Sequence, residues 1–196
     1  MLGSHLNAPP FPHALFNAAS VLLALVLFVP MFRRIRAEGG IGQSGVTWLL
    51  WAALDLVLIA SLVAQDGNYW LIAALVAGDL SIVALLVWLR RFSWGRFETA
   101  VLALVAACVG VWQLAGPRLA TVAVTAAVCL AGLPGLVALA REPDRPTARI
   151  WAGYAIANVL AFCGGTSMTL EQRLTPAALT LYSLAMVAAG LRRPRA

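Results

Sequence analysis

Asp55 stands at the end of an apolar stretch, TWLLWAALD, that starts at Thr47. Trp48, Trp51 and Asp55 are spaced i, i+3 and i+7, which puts all three on one face of a helix. An ionisable side chain at the centre of a membrane helix costs at least about 2.5 kcal/mol, so Asp55 must face a cavity or a partner. Asp79 lies in a second apolar stretch and is bound by the same requirement. Such carboxylates can hydrogen-bond a polar solute, carry protons with it, or hold each other in place. Flat aromatic faces beside them suit a sugar, a nucleobase or a pyridine ring.

Other chemistry is excluded by what the chain lacks. The only histidines are His5 and His13, both ahead of the first long apolar run. That leaves no intramembrane haem or zinc site, and no cofactor or metal is expected. Cys108, Cys129 and Cys163 are odd in number and fit neither a metal set nor a disulfide framework. All 14 basic residues are arginines. Without a lysine there is no retinal Schiff base, so a rhodopsin is ruled out. Intramembrane catalysis would need a convergent nucleophile, base or metal set, and none stands out. An enzyme is therefore not expected.

The Asp55 stretch has a twin. Trp151, Tyr154 and Asn158 repeat the spacing of Trp48, Trp51 and Asp55 at an offset of 103 residues. With a one-residue slip, Pro30 pairs with Pro134 and Asn17 with Thr121; without it, Asp79 falls opposite Tyr182. Repeats of this kind are common in transporters, with the solute site near the bilayer midplane between them. The candidate solute-binding residues are therefore Trp51, Asp55, Asp79, Tyr154, Asn158 and Tyr182. For Asn158 and Tyr182, hydrogen bonding between helices is an equal alternative. Pro30 and Pro134 are candidate hinges, since each removes a backbone hydrogen bond from its helix. Trp48 and Trp151 are gate residues or interfacial anchors. Trp70, Trp88, Trp94 and Trp112 read as anchors.

The elements that position these residues are membrane helices. The chain of 196 residues is 62% hydrophobic and 11% charged, with a mean hydropathy of +0.87. Its charges separate apolar runs long enough to span a hydrocarbon core. The spans are placed at about 13–32, 45–64, 69–89, 98–116, 118–140, 148–165 and 174–191. Arginines crowd the loops between spans 1 and 2, 3 and 4, and 5 and 6, and the C-terminal tail. Only Arg118 and Arg173 lie on the other side. The positive-inside rule then places the N-terminus outside and the C-terminus in the cytoplasm. The pI near 10.2 follows from these boundary arginines, not from nucleic-acid binding. The glycine-rich loop EGGIGQSG lacks the lysine of a phosphate loop and reads as a linker.

The resulting organisation is all-α, integral to the membrane, with seven helices in a 3+1+3 parallel repeat. Residues 1–12 form an irregular lead-in without the basic start of a signal peptide. Residues 13–89 form the first three-helix bundle, 90–117 a linker helix, 118–191 the second bundle and 192–196 a basic tail. This pattern resembles the SWEET and PQ-loop superfamily. The shared features are the 3+1+3 count, the outside N-terminus, Pro30 and Pro134 in the first helix of each triplet, and the basic loop ahead of TWLLWAALD and IWAGYAIAN. Pro30-Met31 and Pro134-Gly135 stand where that family carries proline–glutamine. The resemblance implies a transporter of the inner (plasma) membrane that moves a sugar or similar small polar solute by alternating access. The WLLW string also resembles PnuC, which implies a vitamin precursor of the nicotinamide riboside type. A non-transporting receptor or scaffold on the same fold is a further alternative. The expected partners are the lipid bilayer and the solute, and the oligomeric state is open.

Overall fold

The computed structural model describes residues 11–38 and 45–192, and among them every regular element is a helix. In order these are α1 (His13–Glu38), α2 (Gly45–Val63), α3 (Trp70–Trp88), α4 (Arg96–Ala115), α5 (Pro117–Arg141), α6 (Arg145–Gly164) and α7 (Leu170–Gly190). His5, Gly39 to Ser44 of the glycine-rich loop, and Arg193 and Arg195 lie outside the described residues.

α1 to α5 are long and apolar enough to cross a membrane. In hydrocarbon every backbone group must be paired within the segment, which a helix achieves and a loop does not. α6 and α7 have comparable lengths, 20 and 21 residues, but a more polar composition. Their charges sit in the opening turns, at Arg145 and Arg149 and at Glu171 and Arg173. Their middles carry Tyr154, Asn158, Thr175 and Ser183, each buried by protein. A helix that turns a polar stripe inward has fewer apolar residues to spare for the bilayer.

Several helices run past the expected spans because polar ends extend them. α1 continues through Arg33, Arg34 and Arg36 to Glu38. α6 starts at Arg145 because Asp144 caps it, accepting a hydrogen bond from the Thr147 backbone N–H at 3.0 Å. Pro30 and Pro134 both lie inside unbroken helices. Gly116, at φ 83°, ends α4 in a positive-φ, extended conformation that glycine adopts without strain, and Pro117 opens α5 at once.

Packing follows a ring. α1 packs on α3, α3 on α2, α2 on α5, α5 on α7, α7 on α6 and α6 on α1. α4 lies outside this ring, against α2 and α5, with only Glu98, Val101 and Cys108 buried. Leucine, valine and other large apolar side chains cover the outer surface, among them Leu22, Leu56, Leu130 and Leu181. Trp70, Trp88 and Trp94 are exposed at or just beyond helix ends, where interfacial anchors belong. Trp112 is half-buried near the end of α4.

The third helices match in a register different from the unslipped one. At an offset of 104, buried residues of α3 meet buried residues of α7. Leu71 corresponds to Thr175, Ile72 to Pro176, Ile82 to Met186, Leu85 to Ala189 and Leu86 to Gly190. Asp79 then corresponds to Ser183, and Gly78 to Tyr182. The same offset relates Phe28 of α1 to Gly132 of α5. The Phe28 ring lies against Gly78, and the Tyr182 ring lies against Gly132; a Cβ on either glycine would collide with the ring. Each triplet thus joins its first and third helices by a ring on a glycine, with the two roles exchanged. Close approach over a small residue is how helices gain contact in lipid, where apolar burial alone gives no net attraction.

Candidate functional site

The ring of six helices surrounds a cavity of about 760 Å³. Trp48, Trp51, Asp55, Asp79, Trp151, Tyr154, Asn158, Tyr182 and Pro134 all line it. Pro30 does not; it is half-buried on α1, between the lining residues Phe28 and Met31.

The helix faces explain this convergence. Trp48, Trp51 and Asp55 share the inward face of α2, as Trp151, Tyr154 and Asn158 share that of α6. The two aromatic pairs are similarly built, with ring centroids 5.3 Å apart for Trp48 and Trp51 and 5.5 Å for Trp151 and Tyr154. Phe28 meets Tyr154 edge-on at 6.0 Å, and Tyr182 meets Trp151 edge-on at 5.4 Å. From α3, Leu75 and Asp79 reach the cavity one turn apart; from α7, Leu179 and Ser183 do the same. These are again pairs at an offset of 104.

Polar groups along this wall divide into committed and uncommitted. Tyr182 donates its hydroxyl to the Gly132 carbonyl at 2.8 Å, so it offers the cavity its ring and not its oxygen. Asn158 donates its amide to the Tyr154 carbonyl at 2.8 Å, one turn back on α6. Its Oδ1 has no partner, nor do the indole N–H groups of Trp48 and Trp51 or the hydroxyl of Tyr154. Buried polar groups without partners are rare, and each one needs an explanation. Asp55 and Asp79 are 5% and 6% exposed and act on each other electrostatically. Neither makes an ion pair among the described residues.

Among the described residues, the lining of the cavity reaches the surface beside one face. Its lining runs past Thr47, Leu139 and Thr147 to the exposed Ser93 and Glu142. These residues flank the arginine-bearing loops. At the mouth, Arg34 of α1 pairs with Asp144 at 2.6 Å and donates to Thr147 at 2.6 Å, tying α1 to the start of α6. Burial pushes the Asp144 carboxyl up, but hydrogen bonds from Thr147 and Arg34 and the charge of Arg34 outweigh it and hold it below its ordinary value of 3.8. At the position of Arg34 in the second triplet stands Ala138, which has no such reach. Thr47 donates to Glu98 at 2.9 Å, which also caps α4 through the Gly95 N–H.

Among the described residues, a polar layer fills the opposite end. Asn68 donates to Asn17 at 3.0 Å and to the Ala161 carbonyl at 2.8 Å. Asn17 donates to the Gly164 carbonyl at 3.1 Å, and Ser20 to the Ala157 carbonyl at 2.8 Å. Gln65 bridges to Thr121 at 2.9 Å, and Gln172 donates to the Asp66 carbonyl at 2.6 Å. None of these residues lines the cavity.

No protein-family model, curated protein or solved structure matches the chain.

Sequence reasoning paired Asn17 with Thr121 but did not find this layer, nor the clamp of Arg34, Asp144 and Thr147. The clamp had a signal: Asp144 three residues before Thr147 and next to Arg145-Pro146 is a helix start. Asn68 and Gln172 carried none, since each acts through backbone far away in sequence.

Proposed function

We propose that the chain is a seven-span membrane transporter of the SWEET-like kind, caught open toward the arginine-rich face. It moves a small polar solute across the inner (plasma) membrane by alternating access between two three-helix bundles. The observation that carries this reading is the asymmetric cavity, open beside the arginine loops and sealed at the other end by the layer around Asn68. Volumes of this order hold drug-sized solutes. The packing ring supports the 3+1+3 arrangement, because exchanging α1, α2 and α3 for α5, α6 and α7 leaves its neighbour relations unchanged. The arginine asymmetry supports a cytoplasmic assignment for the open face.

In this reading Trp51, Asp55, Asp79, Tyr154, Asn158 and Tyr182 form the solute site. Trp48 and Trp151 stand nearer the mouth and close over the solute. Pro30 and Pro134 weaken the helices at the level where the open ends must approach.

The test is solute uptake into proteoliposomes. Asp55→Ala and Asn158→Ala are each expected to abolish it while leaving the monodisperse elution of the purified protein intact. Uptake at the unaltered rate in both variants would remove the site assignment.

A further inference from the structure

The acidic residues of the chain are concentrated in one place. Asp55, Asp79, Glu98, Glu142 and Asp144 line the cavity, five of the eight acidic residues in a chain whose net charge is +6. Among the described residues Arg34 is the one arginine of the lining, and Asp144 already pairs with it. Glu98 is engaged by Thr47 and the Gly95 N–H. The two deepest carboxylates, Asp55 and Asp79, have no cation opposite them among the described residues.

A second observation is independent of the acidic residues. Trp48, Tyr154 and Asn158 are each less than a tenth exposed, and each holds a polar atom without a partner beside the cavity. The indole N–H is a donor only, so Trp48 and Trp51 call for an acceptor on whatever fills the space. The aromatic faces around them favour positive charge, since a ring presents its negative side to a cation. Without a cation, adjacent carboxylates in a low-dielectric site hold protons instead of charge, and a cationic solute can take the place of such a proton.

We infer that the solute is a small organic cation, a quaternary ammonium that also bears a hydrogen-bond acceptor, held between Asp55, Asp79 and the tryptophan–tyrosine wall. This rests on the transporter reading for its route but not for its binding. Asp55 and Asp79 supply the balancing charge, the rings of Trp51, Trp151 and Tyr154 cover the apolar body, and the indole N–H groups meet the acceptor.

The test uses two probes of equal shape, acetylcholine and its uncharged carbon isostere 3,3-dimethylbutyl acetate. Both carry the ester acceptor and differ only in the charge. Each is titrated into purified full-length protein while tryptophan fluorescence is read. Acetylcholine is expected to bind saturably and at least about tenfold more tightly than the isostere, a gap of about 1.4 kcal/mol. Asp55→Asn and Asp79→Asn, which keep side-chain shape, are each expected to erase that preference. Equal binding of the two probes by the unaltered protein, or no saturable binding of acetylcholine, overturns the inference without reference to any variant. Counterflow in proteoliposomes separates the two levels. Cation binding without counterflow removes the transport reading and leaves the cation class standing. Counterflow of neutral solutes alone does the reverse.

Discussion

Tyr182 is the residue whose role the structure changes most. Its hydroxyl is spent on the Gly132 carbonyl and its ring occupies the space a Gly132 side chain would need. Adding a methyl group at Gly132 therefore forces either the ring or the α5–α7 contact to move. Overpacking of this kind costs about 1–3 kcal/mol. Gly132→Ala is expected to lower the melting temperature, and combining it with Tyr182→Leu is expected to cost less than the two changes summed. Additive losses in such a cycle would show that the two residues do not share the space. Asp55 and Asn158 were legible as a pair from their neighbours' spacing alone, because one helix face repeats itself within a few residues. Tyr182 was misaligned with Asp79 for the opposite reason. The loops before α3 and α7 differ by a residue in register, and a single helix with no repeated motif gives no mark of the slip.

At the scale of the helix, the two ends of α6 hold the molecule in its present form. Its start is clamped to α1 by Arg34, Asp144 and Thr147, and its end is tied to α1 by Asn17. The folded state favours the charged form of Asp144, whose carboxyl lies below its ordinary value of 3.8. The stability from this clamp is therefore present above pH 3.8 and is lost as the pH falls through the lower, folded-state value. The Asp144 side chain is 34% exposed, so solvent screening keeps the effect small. Melting of the unaltered protein minus that of Asp144→Asn is expected to shrink toward zero as the buffer is taken from pH 6 to pH 3, a range that brackets the ordinary carboxylate value. A difference that stays constant across that range would show that Asp144 contributes no titrating interaction. Helix identity and span order were readable from hydropathy and arginine placement, since both report the bilayer directly. The bond from Arg34 to the start of α6 and the Asn68 layer were not, because they join residues at least 51 positions apart.

For the whole molecule, the decisive property among the described residues is that the cavity lining reaches the surface at one end of the ring while the Asn68 layer fills the other. The open end is lined by α1, α2, α5, α6 and α7, with Ser183 deep on α7 and Leu139 nearer the mouth. The shut end buries Ser20 completely. Single cysteines placed by Leu139→Cys, by Ala138→Cys at an exposed position of the lining, and by Ser20→Cys, in a background with Cys108, Cys129 and Cys163 changed to alanine, report this directly. A membrane-impermeant thiol reagent added from the arginine-rich face is expected to label the first two sites and spare the third. Asn68→Ala removes the donor that joins the α2–α3 turn to both Asn17 and the Ala161 carbonyl. It leaves two buried acceptors unmatched, each costing about 1–3 kcal/mol, which weakens the sealed end relative to the open one. A two-state ring then shifts its population toward the form open on the far side. With Asn68→Ala present, labelling of Ser20→Cys from the far face is expected to rise and labelling of Leu139→Cys from the arginine-rich face to fall, reciprocally. A rise at Ser20→Cys with no fall at Leu139→Cys would mean that the ring frays at one end and does not alternate, and the alternating-access reading would fall with it.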